Sequence, residues 1–253
     1  MVQDYLNRGT KMLNRYKKYD EKFVLDNLMG PNSLKIAEEV ANHLDLHEGM
    51  KILDLGCGKA LTSIFLAKEF GVTVFATDLW IPATENLKRI REMGIEDKVF
   101  PIHAEARSMP YANEFFDAIV SFDSYHYFGT DENYMNYYLA PLVKQGGQIA
   151  IAIPGLTEEF ENGVPDNLKP YWVDEQNLTF HSQQWWRKLL GRTSVIDIIE
   201  SFDLECTDEA WEDWLKSNNP VANGDISFYR ADINNQLATI AIIAKKDNNL
   251  FNM

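Results

Sequence analysis

Residues 51–62 read KILDLGCGKALT. Ile52, Leu53 and Leu55 make a short apolar run that reads as a strand, and TSIFLAKEF (62–70) beyond it reads as a helix. Between them stand Gly56 and Gly58. Glycines where a strand becomes a helix permit a tight turn and let another molecule approach the backbone closely. The first turn of the helix also leaves N–H groups free to face whatever occupies the gap.

The same alternation repeats on both sides of this stretch. VTVFATD (72–78) reads as a second strand, and ENLKRIREMG as a helix that Gly94 ends. KVFPIHA (98–104) and FDAIVSFD (116–123) read as the third and fourth strands. DENYMNYYLAPLVKQGG reads as a helix running from an Asp131 cap to Gly146, and GQIAIAIP (147–154) as the fifth strand. Upstream, Asn32 or Ser33 starts a helix with Leu34, Ala37, Val40, Ala41 and Leu44 on one face. After residue 155, HSQQWWRKLL and DEAWEDWLKS read as helices, and SVIDIIESFDLE (194–205) and QLATIAIIAKK (236–246) as strands. Strands alternating with helices imply parallel pairing through right-handed crossovers. The apolar, β-branched strands suit burial on both faces. The expected fold is a doubly wound α/β sheet.

The glycine pair admits three guests: a dinucleotide, a nucleoside triphosphate, or an adenosyl cofactor without phosphate. A dinucleotide fingerprint needs glycine at 56, 58 and 61, and position 61 is leucine. A P-loop fails because Gly58-Lys59 is followed by Ala60, and the upstream glycine position is Leu53. Asp54 would repel a phosphate and attract an ammonium group. Asp78 at the end of the second strand is placed to accept ribose hydroxyls. Ala104-Glu105-Ala106, after the third strand, places another acceptor in the same crevice, suited to an adenine amino group.

Together, DLGCG (54–58), ATD (76–78), HAEARSMPYANEFFDAIVSFDSYHYF (103–128) and LVKQGGQIAIAIP (142–154) resemble the class I S-adenosylmethionine-dependent methyltransferases of small-molecule type. The cyclopropane-synthase-like and ubiquinone-biosynthesis-like enzymes are among that family's members. The likeness covers roughly residues 30–155. It implies a mostly parallel, seven-stranded Rossmann-like sheet with a reversed final strand. It also implies an N-terminal lid over residues 1–30 and a methyltransferase domain over 31–253, within which 155–215 holds a substrate-side insertion. Carried over residue by residue, it assigns Asp54, Gly56 and Gly58 to the methionine end of the cofactor. Asp78 falls to the ribose, Leu79 to the cofactor seat beside it, Glu105 and Ala106 to adenine, and Ser121 with Phe122 to the floor beneath the methionine amino group and the departing methyl. The chain departs from the common pattern at Ala60, often glycine, and at Glu105, often aspartate.

Methyl transfer needs the nucleophile held in line with the methyl group in a site closed to water. A base is required only when the nucleophile arrives protonated. FDSYHYF (122–128) lies at the mouth of the expected site, and His126 is its candidate base or orienter; the competing reading is a loop histidine with a surface hydrogen bond. Tyr16, Tyr19 and Phe23 form either a lid over the cofactor, with Tyr19 a second catalytic candidate, or an ordinary apolar helix face. Trp172, Trp185, Trp186, Trp211 and Trp214 lie in the substrate half, most of them as packing and one or two as pocket walls. Beside an acidic region such rings suit a cationic amine. His43 and His47 straddle a helix end, so no metal is expected.

The chain of 253 residues has a formal charge of −14. Between Pro154 and Leu215 fourteen acidic residues stand against four basic ones, a balance of −10. Such a surface repels nucleic acid and anionic membranes, leaving a small-molecule acceptor as the expected partner. Two cysteines, Cys57 and Cys206, make no disulfide framework, and no segment reads as a signal peptide or membrane span. The expectation is a cytoplasmic monomer or homodimer that methylates a small-molecule N, O or S atom. The alternatives are cyclopropane-synthase-like carbon methylation of a lipid, or a catalytically silent S-adenosylmethionine-binding module.

Overall fold

The computed structural model describes residues 14–247. Seven strands form one sheet: β1 (Lys51–Leu55), β2 (Thr73–Asp78), β3 (Val99–His103), β4 (Phe116–Phe122), β5 (Val143–Leu156), β6 (Ile196–Asp203) and β7 (Leu237–Lys246). Their spatial order is β3-β2-β1-β4-β5-β7-β6. The first five pair in parallel, and β7 runs antiparallel to both β5 and β6. Strand order reverses at β1, so the crevice beyond the carboxyl ends of β1 and β4 is the switch point where ligands bind in such sheets.

The helices are α1 (Glu21–Asn27), α2 (Ser33–Ala41), α3 (Leu61–Phe70), α4 (Ala83–Glu92), α5 (Gln176–Thr179), α6 (Gln183–Leu190), α7 (Thr207–Lys216) and α8 (Pro220–Ala231). Caps set several starts: Asp20 accepts from the Phe23 amide, Asn32 from Leu34, Ser182 from Trp185 and Asn219 from Val221. Two apolar cores flank the sheet. One packs α2, α3 and α7 against Ile52, Val74, Ala118 and Ala150, and the other packs α6 against Leu53, Ile119, Ile151 and Ile240. That division explains why the central strands read as unbroken apolar runs.

Three local expectations need correction. The helix read over 131–146 is replaced by a π-turn at Met135–Leu139 and a 3-10 turn at Ala140–Leu142. Strand β5 then starts at Val143, earlier than the expected 147, with Gly146 at φ +69 inside it and a register shift opposite Phe116/Ala118. Pro141 and the glycine pair stop the helix and bulge the strand instead. Helix α8 is absent from the sequence reading, because Asn223, Gly224 and Asp225 break the helical pattern there.

Candidate active site

The glycine turn is fixed from behind. The Gly56 and Cys57 amides both donate to the Thr77 carbonyl, at 2.8 and 3.2 Å, which ties the end of β1 to β2. Gly56 has φ +72, and a Cβ there would lie 2.0 Å from the Ser124 Oγ. Only glycine meets both conditions. Ala60, the departure noted above, takes the left-handed conformation (φ +63) just before α3, a strain of about 1 kcal/mol for a residue with a Cβ.

Asp78 is the anchor of the crevice. Its Oδ2 accepts from the Gly58 amide at 2.8 Å, and its Oδ1 from the amides of Trp80 and Ile81 at 2.7 and 2.8 Å. A carboxylate offers about four acceptor positions, so roughly one remains for a ligand hydroxyl. The cavity beside it is about 290 Å³ and is lined by Gly56, Cys57, Gly58, Asp78, Leu79, Glu105 and Ala106, all from the carboxyl ends of β1 to β3. Leu79 is exposed at its edge.

Two residues assigned to this lining lie behind it. Asp54 is fully buried, and its Oδ2 accepts from the Thr62 and Ser63 hydroxyls in the first turn of α3, both at 2.6 Å. Burial, aided by the Asp78 charge, pushes its carboxyl up to about 6, against the pull of those two hydroxyls. It secures the helix start, and its Oδ1 has no partner. Ser121, buried, donates to the Leu55 carbonyl at 2.9 Å and meets the Ser124 hydroxyl at 2.9 Å. It braces the turn without lining the cavity.

The opposite wall comes from Phe122, Asp123, Ser124, Tyr127 and Phe128, with Asn27, Met29 and Gly30 closing the top. Among the described residues of the expected 1–30 lid these three, not Tyr16, Tyr19 or Phe23, border the space, and residues 1–13 of that lid lie outside the described residues. Tyr19 packs on Phe65, and its hydroxyl donates to Glu69 at 3.4 Å, so it reaches α3 rather than the cavity. His126 is buried behind Tyr127, whose ring lies 4.1 Å away, and its Nδ1 has no partner. Desolvation lowers its pKa to about 3, so it is a neutral imidazole beside the site. The surface reading of His126 therefore does not hold. The tryptophans expected to wall the pocket pack elsewhere: Trp186, Trp211 and Trp214 are core, and Trp172 joins Phe160, Phe180 and Phe228. The tryptophan lining the cavity is Trp80. Its position directly after the Asp78 turn was the available signal.

Residues 52–147 match the family described as the methyltransferase domain. Over that stretch the chain is similar to a methyltransferase domain. Methyltransferase GfsG of Streptomyces halstedii is 32% identical over 159 residues, covering 60% of this chain and 56% of that protein. The sarcosine/dimethylglycine N-methyltransferase of Aphanothece halophytica is 26% identical over 117 residues, 46% of this chain and 42% of its own. The chain thus spans about half the length of these relatives. In structure, Haemonchus contortus phosphoethanolamine N-methyltransferase 2 in complex with S-adenosyl-L-methionine superposes with a TM-score of 0.72 at 17% identity, covering 98% of this chain and 60% of that one. The [4+2]-cyclase SpnF superposes at 0.69 and 16% identity, over 91% and 94%. Both likenesses are of fold.

The residues present fit the domain's cofactor, S-adenosylmethionine. The lining offers Asp78 to a ribose and the Ala106 amide with Glu105 to a base. Its two cations are each partly engaged: Lys59 donates to the Asp26 carbonyl, and Arg107 to Glu105 and the Phe128 carbonyl. Buried Cys57, raised far above the usual thiol range by desolvation, is a packing residue there.

Proposed function

We propose that the protein transfers a methyl group from S-adenosylmethionine to an N, O or S atom of a small molecule. The observation that carries this reading is the crevice at the β1/β4 switch point, where Gly56, Gly58 and a backbone-held Asp78 with about one acceptor position to spare prepare a nucleoside seat directly beside the Asp123–Phe128 wall. When bound, the cofactor supplies the electrophilic methyl group. The chain's own part is to hold the acceptor against that wall, exclude water with Asn27, Met29 and Gly30, and set the environment of the acceptor atom.

The named relatives support a small acceptor and leave its atom open. They include a 27-O-demethylrifamycin SV methyltransferase and a sarcosine/dimethylglycine N-methyltransferase, while a geranyl diphosphate C-methyltransferase shares the fold. Among the described residues no helix is long and apolar enough to cross a membrane. The test is to incubate the protein with methyl-labelled S-adenosylmethionine and a panel of amines, phenols, alcohols, thiols and unsaturated lipids. Label in a small N, O or S acceptor is the expected result. Transfer only to a lipid alkene carbon would replace this reading with the cyclopropane-synthase-like one, and cofactor binding without any transfer would leave a silent binding module.

A further inference from the structure

One polar group on the cavity wall has no partner. Asp123 follows β4 with φ +53, a left-handed conformation that aspartate tolerates better than most residues. Its amide donates to the Ala152 carbonyl at 2.7 Å, while its carboxylate makes no hydrogen bond or ion pair among the described residues and lines the cavity. The carboxylate abuts the α1–α2 turn so closely that a Cβ on Gly30 would lie 2.1 Å from its Oδ2. The neighbouring charges are also negative. Asp225 on α8 acts on Asp123, and Asp123, Glu175 and Asp225 all act on the Tyr127 hydroxyl. Desolvation first, and Asp225 second, push the Asp123 carboxyl up to about 7. The two cations on the cavity lining, Lys59 and Arg107, are held by other groups. Across the mouth Trp80 and Tyr127 meet edge to face, with centroids 5.2 Å apart.

A half-buried carboxylate with like-charged neighbours and no counterion is costly unless a cation arrives with the ligand. Aromatic faces beside it favour an organic cation over a hydrated metal ion. The chain's charge of −14 draws such a cation inward.

We propose that Asp123 selects the acceptor by binding a substituted ammonium group between its carboxylate and the Trp80 and Tyr127 rings. This deepens the methyltransferase reading and rests on it. Asp123 is a recognition residue in this account, set apart from the Asp78 seat that receives the nucleoside.

The experiment titrates matched pairs into the protein saturated with S-adenosylhomocysteine: choline against 3,3-dimethylbutan-1-ol, and benzyltrimethylammonium against neopentylbenzene. At least one cation should bind tenfold or more tightly than its neutral isostere. Asp123→Asn, which keeps the shape and the left-handed backbone, should abolish that preference and leave S-adenosylhomocysteine affinity unchanged. Equal binding of cation and isostere in both pairs, or no binding of either, overturns the proposal, as does a preference that survives in Asp123→Asn. Failure of S-adenosylhomocysteine to bind the wild type is a different result, and it sinks the methyltransferase reading itself.

Discussion

Asp78 ends β2 and Asp123 directly follows β4, two parallel strands of one sheet, and both line the same cavity, yet they are opposites. Three backbone amides hold Asp78 and leave it about one acceptor position, whereas the Asp123 side chain has no hydrogen bond among the described residues. The difference separates scaffold from recognition. A carboxylate held by the backbone fixes the shape of a seat before any ligand comes. A carboxylate left unpaired keeps its binding capacity for the ligand, at a cost in stability.

The largest effect should come from disturbing the fixed side. Gly56→Val forces a branched side chain into φ +72 and onto the Ser124 hydroxyl, and strain plus overpacking should cost about 3–5 kcal/mol in denaturant unfolding. A loss below about 1 kcal/mol would mean the turn is looser than described. Next, Asp78→Ala strands the Gly58, Trp80 and Ile81 amides. With solvent reaching part of the loop, a loss of about 1–3 kcal/mol is expected by the same measurement.

Asp54→Asn sharpens the contrast through pH. The Asp54 carboxyl is harder to ionise in the folded protein, at about 6, than at its ordinary value of 3.8. The folded state therefore holds the proton more tightly, and this contribution is fully present below pH 3.8 and lost as pH rises through about 6. Asparagine escapes the loss while still accepting from Thr62 and Ser63. Urea unfolding should find the variant more stable than wild type by about 1–3 kcal/mol at pH 8, with no gain at pH 3.5. An equal difference at both values would contradict the assignment. The smallest effect belongs to Trp80→Leu, which alters an exposed ring. Its Tm should stay close to wild type, a change within about 0.5 kcal/mol, while ammonium binding weakens.

The glycine turn and the first four strands were legible because they are governed locally. Apolar strands buried on both faces and a glycine pair at a strand end leave few alternatives. The Asp54 and Ser121 side chains were misplaced because both are consumed by neighbours that only the fold brings together, Thr62 and Ser63 for one and the Leu55 carbonyl for the other. Tyr19 was misread for the same reason, its hydroxyl being met by Glu69, fifty residues on. Asp123 lay in a stretch already singled out, but being unpaired is a property of surroundings and has no sequence signature. Helix α8 did carry a signal in its Asn219 cap and Pro220, outweighed by the Asn, Gly and Asp that follow.

The central claim is that the crevice at the β1/β4 switch point seats an adenosyl cofactor on Asp78. Calorimetric titration of S-adenosylmethionine and S-adenosylhomocysteine into wild type and Asp78→Ala tests it most directly. The account predicts saturable one-to-one binding of both to the wild type, weakened tenfold or more in a folded Asp78→Ala protein. No binding to the wild type, or equal affinity for the variant, would contradict it.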